Sequence, residues 1–124
     1  MNRVRPQEHQ MNTRAELLKR LWQQVINVNL DANSLGAVIT RSKTKPNAPF
    51  ADTGPALERV LAAGADPKDI CLIRRQAAYA ATFATLYALD DPGVEDDNVF
   101  MLFEELLMAD PSGMEGRPGS ANAV

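Results

Sequence analysis

The stretch ALDDPGVEDDNVFMLFEELLMAD, Ala88 to Asp110, holds eight carboxylates (Asp90, Asp91, Glu95, Asp96, Asp97, Glu104, Glu105 and Asp110) and no Lys, Arg or His. Carboxylates at this density can bind a cation, pass a proton between a matched pair, or meet a basic partner. The first needs a pattern that is missing. A helix–loop–helix calcium loop requires D-x-[DN]-x-[DN]-G with a glutamate at position twelve, and DDPGVEDDN does not supply that register. A di-iron bundle requires Glu-x-x-His on inward faces, and the single histidine, His9, stands near the N-terminus. No metal and no cofactor is expected.

Catalysis has equally little to work with. One histidine far from Cys71 makes no Cys/His pair, and no G-x-S-x-G elbow occurs. GMEGRPG, Gly113 to Gly119, lacks the Lys-Ser/Thr and the following helix of a phosphate loop. A carboxylate pair tuned by burial is the one acid/base option left, and no pattern marks any of these acids as buried. No catalytic residue is assigned, and the chain is read as a non-enzyme ahead of an enzyme.

Partner binding remains. Asp97, Met101, Glu104, Glu105 and Met108 fall at i, i+4, i+7/i+8 and i+11, the outer side of a helix whose inner side is Val99, Phe100, Phe103, Leu106 and Leu107. Methionine thioethers adapt to irregular surfaces, so this acidic, methionine-bearing face is read as a site for a protein partner. The plainer reading tucks both methionines against neighbouring loops. Half of the acid also has local reasons: Asp96 and Asp97 favour a helix start, and Asp90 and Asp91 suit a turn.

A second candidate is Arg74, Arg75, Tyr79 and Tyr87. Guanidinium and phenol groups in one pocket between helices would hold a small anionic metabolite. The competing reading pairs the arginines with Glu104, Glu105 or Asp90. Arg41, Lys43 and Lys45 flank a proline loop without interleaved aromatics, too few charges for a nucleic-acid surface.

The elements that carry these residues follow from periodicity. Residues 1–12 read as a flexible arm. TRAE, Thr13 to Glu16, is a capping box, opening a helix with Leu17, Leu18, Leu21, Trp22, Val25 and Ile26 on one side, to about Leu30. SLGAVITRSK is read as a short helix capped by Ser34. TKPNAPFAD is a loop pinned by Phe50. Asp52 or Thr53 caps a helix through GPALERVLAAG, which Gly64 closes. Asp66 caps the next, with Pro67 at its first position, running to about Leu89.

That helix is apolar nearly all round, with an alanine stripe (Ala77, Ala81, Ala84, Ala88) and a bulky stripe (Leu72, Tyr79, Phe83, Leu86). Such a helix belongs at the centre of a bundle. A last helix is expected from Glu95 to Ala109, and residues 111–124 read as a Gly/Pro-rich tail. The fold class is all-α: a compact four-to-five-helix bundle spanning residues 13–110, around the Ala-rich helix at about 67–89.

The 124 residues amount to one domain, enough to bury roughly two-thirds of the chain surface. Net charge is −3 and pI about 5.1, against a nucleic-acid partner. The charge is uneven: residues 1–62 carry net +4 and residues 63–124 net −7. The halves complement each other within one fold or across a homodimer. Cys71, the single cysteine, lies in apolar DICLI and reads as a buried thiol. The polar N-terminus has no signal-peptide character, and the longest uncharged stretch, Gln76 to Leu89, is too short to span a bilayer. A cytoplasmic protein with no membrane partner is expected.

Overall fold

A computed structural model describes residues 6–90, 101–115 and 117–118, and among these the chain is all-α. Helix α1 spans Pro6–Leu21 and passes into a π turn at Trp22–Ile26 and a 3-10 turn at Asn27–Leu30. α2 spans Asn33–Thr44, α3 Thr53–Ala62, α4 Pro67–Asp90 and α5 Leu102–Leu106, with a 3-10 turn at Leu107–Ala109. No described helix is long and apolar enough to cross a membrane.

α1 occupies residues 6–12 of the arm expected over residues 1–12, whose first five residues lie outside the described ones. It is helical from Pro6, so Thr13 lies inside the helix rather than at its cap. No glycine stands between Pro6 and Thr13 to stop the helix, and proline is at ease in a first turn, where its missing N–H has no helical partner anyway. At the other end the helix widens: the Asn27 N–H bonds to the Trp22 carbonyl, five residues back. Leu18, Trp22 and Ile26 are buried at four-residue spacing, while Val25, expected inside, is exposed.

The caps show how tertiary contacts adjust local rules. Asp66 caps α4 as expected, its Oδ1 accepting from the Lys68 N–H at 2.9 Å. For α3, Asp52 holds the cap position without a side-chain bond. Instead, Ser42 of α2 accepts from the Gly54 N–H at 3.1 Å. Ser34 does not cap α2; the Asp31 carboxylate accepts from the Asn33 N–H at 3.0 Å. α2 and α3 are further joined by Lys43–Glu58 at 3.5 Å.

Their approach at Gly54 is close. A Cβ there would stand 2.4 Å from both Ser42 Cβ and Oγ, and 3.3 Å from the Ile39 backbone. Gly54→Ala is therefore expected to destabilise the protein by about 1–3 kcal/mol, the usual cost of overpacking. A urea midpoint equal to the wild type would show that α2 and α3 are not held this tightly.

Two clusters of buried side chains lie along α4. One combines Leu18, Trp22 and Ile26 with Leu86, Leu102 and Leu106. The other combines Leu35 with Ile70 and Cys71, with Leu57 and Leu61 packed against it. α4 is thus the element common to both, with the bounds expected of the central helix. It is not buried all round: Ala77, Ala81, Ala84 and Ala88 are exposed, as are Leu72 and Phe83. Its neighbours, the π turn, the 3-10 turn after it and α5, cover one side of it.

The continuous last helix also needs correction. Met101 takes up φ 51°, ψ 21°, the left-handed region, directly before α5. A methionine there is strained, because its Cβ crowds the following carbonyl. Asp90, ending α4, accepts from the Met101 N–H at 2.7 Å. That bond ties the start of α5 to the end of α4. The expected start of the helix at Glu95 lies outside the described residues.

Candidate functional site

The partner-binding residues expected on one helical face divide between three places. Asp97 lies outside the described residues. Met101, in its left-handed turn, is out of register with α5, so its spacing from Glu104 and Met108 no longer defines a shared face. Glu104, Glu105 and Met108 do follow one another on α5 and the turn after it, with Glu104 exposed and Met108 68 % exposed.

Glu105 and Met108 face α1 across a cleft of about 490 Å³, lined also by Arg14, Ala15, Leu18 and Lys19. Arg14 forms an ion pair and hydrogen bond with Glu105. The cleft is therefore of mixed charge, with an apolar floor at Leu18. Sequence reasoning passed over Arg14 and Lys19. Their signal was the opposite net charge of the two halves, which here becomes a specific pairing between α1 and α5.

The four metabolite-site residues do not all meet in one place, although Arg75 and Tyr79 both stand against the Trp22 ring. Arg74 donates to the Ser34 hydroxyl at 2.7 Å. Arg75 is buried: its Nε donates to Asn27 Oδ1 at 2.9 Å, its Nη2 lies 4.0 Å from Asp110 Oδ2, and its guanidinium stands 5.7 Å from the Trp22 ring centre. The carboxylate partner is Asp110, not Glu104, Glu105 or Asp90. The tip of Arg75 is thus taken up by the fold. Tyr87 lies twelve residues along α4 from Arg75, about 18 Å at the helical rise, so no single small pocket joins them.

Tyr79 and Tyr87 belong instead to an aromatic ladder. Trp22, Tyr79, Phe83 and Tyr87 follow at ring separations of 5.9, 6.3 and 6.4 Å. Phe103 meets Phe83 and Tyr87 edge-on at 5.6 and 4.9 Å, an arrangement favoured by the ring quadrupoles. This ladder fastens α5 to α4. Burial pushes the Tyr79 phenol above its ordinary value of 10.0, because the phenolate would lose hydration.

Three of the eight acids now have structural duties. Asp90 holds the Met101 N–H, Glu105 pairs with Arg14, and Asp110 sits beside Arg75 while accepting from the Ser112 N–H at 2.9 Å. Among the described residues no group of three or more His, Cys, Asp or Glu is gathered closely enough to hold a metal ion. Cys71 is a free thiol within the second cluster. Two surfaces stand out among the described residues: a mixed-charge cleft between α1 and α5, and an exposed apolar side of α4. In comparison with known proteins, the chain matches no family model, no curated protein and no solved structure.

Proposed function

We propose that this chain is a small cytoplasmic protein-interaction module, accessory or inhibitor-like, that receives its partner at the cleft between α1 and α5. The supporting observation is Met108, 68 % exposed at the edge of a cleft of about 490 Å³ floored by Leu18. A methionine left in water beside an apolar floor is a surface suited to an incoming apolar side chain. Glu104, exposed next to the Arg14–Glu105 pair, adds an acidic group at the rim. The fitting partner presents an apolar side chain flanked by a basic one, the charge selecting orientation and association rate more than raw affinity.

The test is affinity capture on the full chain, with the retained protein identified, purified and titrated against wild type and Met108→Lys/Glu104→Lys. At least a tenfold loss of affinity, about 1.4 kcal/mol, is expected, with helical content unchanged because both side chains are exposed. Equal affinity for both chains would remove the cleft as the working surface.

A further inference from the structure

The last turn of α2 and the loop after it line an open cavity of about 290 Å³. Arg41, Ser42 and Lys45 reach it from one side of α2, and Phe50 from the loop. The loop folds back through successive turns, the Ala48 N–H donating to the Lys45 carbonyl and the Ala51 N–H to the Ala48 carbonyl, each at 3.1 Å. The fold itself makes little use of these side chains. Lys43, between the two cations in sequence, pairs with Glu58 at 3.5 Å. Arg41 and Lys45 are exposed and form no ion pair among the described residues. Ser42 is buried; its oxygen accepts from the Gly54 N–H at 3.1 Å, and no described residue accepts its own proton. Phe50, expected to pin the loop to the core, is instead 85 % exposed, at φ 62° in the left-handed region that bulky residues rarely adopt.

We infer that this cavity binds a small phosphomonoester that carries an aromatic ring. Its walls hold two cations and no carboxylate, in a chain of net charge −3, so its occupant is an anion. Arginine's fork grips two oxygens at once, lysine meets charge as a point, and the Ser42 hydroxyl has a proton to donate. A phosphomonoester brings three acceptor oxygens and close to two negative charges near neutral pH, matching both cations. A carboxylate would leave one of them unmatched. The negative end of α2 favours basic residues in its last turn, but it explains neither the buried hydroxyl nor the phenylalanine held in water on the same cavity. An aromatic ring stacked on Phe50 would cover that apolar surface. The start of α3 adds no donor: the Thr53 N–H is taken by the Phe50 carbonyl, the Gly54 N–H by Ser42, and Pro55 has none. Recognition therefore falls to side chains. The volume is at the small end for ligand sites, which selects a small molecule. The cavity shares no residue with the α1–α5 cleft, so the two readings stand or fall separately.

The test is calorimetric titration of the full chain at low salt and near neutral pH, with phenyl phosphate and inorganic phosphate as probes. Phenyl phosphate should bind with a submillimolar Kd, about fivefold more tightly than inorganic phosphate, the difference being the ring contact. Arg41→Gln and Lys45→Gln should each weaken phenyl phosphate by about tenfold or more, with unchanged circular dichroism because both side chains are exposed. Lys43→Gln removes an equal charge outside the cavity and should change the Kd by less than about twofold. Phe50→Gly should make the two probes bind alike while the melting temperature is kept, since glycine is at ease at φ 62°. No binding of phenyl phosphate at about 10 mM, equal affinity of the two probes for the wild type, or equal losses from Lys43→Gln and Lys45→Gln would overturn the proposal. So would a phosphotyrosine peptide held more than about tenfold tighter than phenyl phosphate, which would make the ligand a segment of another protein.

Discussion

Trp22→Ala is expected to remove much of the stability of this fold. Trp22 is 1 % exposed and is the largest side chain of the cluster that joins α1, α4 and α5. Truncating a buried tryptophan costs about 3–5 kcal/mol through lost burial and the cavity left behind. The indole also donates to the Leu106 carbonyl at 2.8 Å, inside the protein. Leaving that acceptor unpaired adds about 1–3 kcal/mol. Against a typical total of about 5–15 kcal/mol, the variant should be largely unfolded or have a strongly lowered urea midpoint by far-UV circular dichroism. Trp22→Phe separates the two contributions, keeping most of the ring and losing the N–H. A Phe variant as stable as wild type would show that the bond to Leu106 contributes nothing.

Arg75→Met should be the next most damaging change. Its partner Asp110 has a fully buried side chain, so removing the guanidinium leaves a carboxylate without its neighbouring charge. Breaking one side of such a pair costs about 3–5 kcal/mol, whereas replacing both sides is often close to neutral. Arg75→Met/Asp110→Asn should therefore recover a substantial part of the loss. The recovery is incomplete, since Asn27 still lacks the donor it has in the wild type. Equal stability of the single and double variants would mean that the two groups do not act as a pair.

Much of the helical layout was legible from local chemistry. Asp66 followed by Pro67 announces the start of α4, because capping and ring geometry act within a few residues. The Leu18, Trp22 and Ile26 stripe appears in the four-residue spacing. The features that escaped reading depend on groups far apart in sequence or on backbone detail. Ser42 supplies the bond at the start of α3 from another helix. Arg75 finds its carboxylate 35 positions on, past three nearer acids that look equally suitable. The π turn adds a backbone residue without changing the side-chain types, and Met101 turns left-handed where its N–H meets Asp90.

The candidate site was legible only in part. Glu105 and Met108, set on one side by helical spacing, line a cleft against α1, but its Arg14 and Lys19 come from the opposite end of the chain. The alanine stripe shows the complementary difficulty. A helix apolar on every side announces that it will be covered, without indicating which side its own chain covers. Here the bulk of α1, the turns after it and α5 occupies one side, and the alanines are left outward.

The two buried clusters share no residue, and α4 is the rod that joins them. Resistance to hydrogen exchange should follow that division. Amides of the α2–α3 end, held by Leu35, Ile70 and Cys71, belong to one opening unit, and those around Trp22 and Leu106 to another. The α2–α3 end, with fewer buried side chains, is the one to open first, leaving the longer cluster closed. The middle of α4 then sets how strongly the two units open together, and a chaperone or protease meeting this protein first encounters a molecule unfolded at one end only.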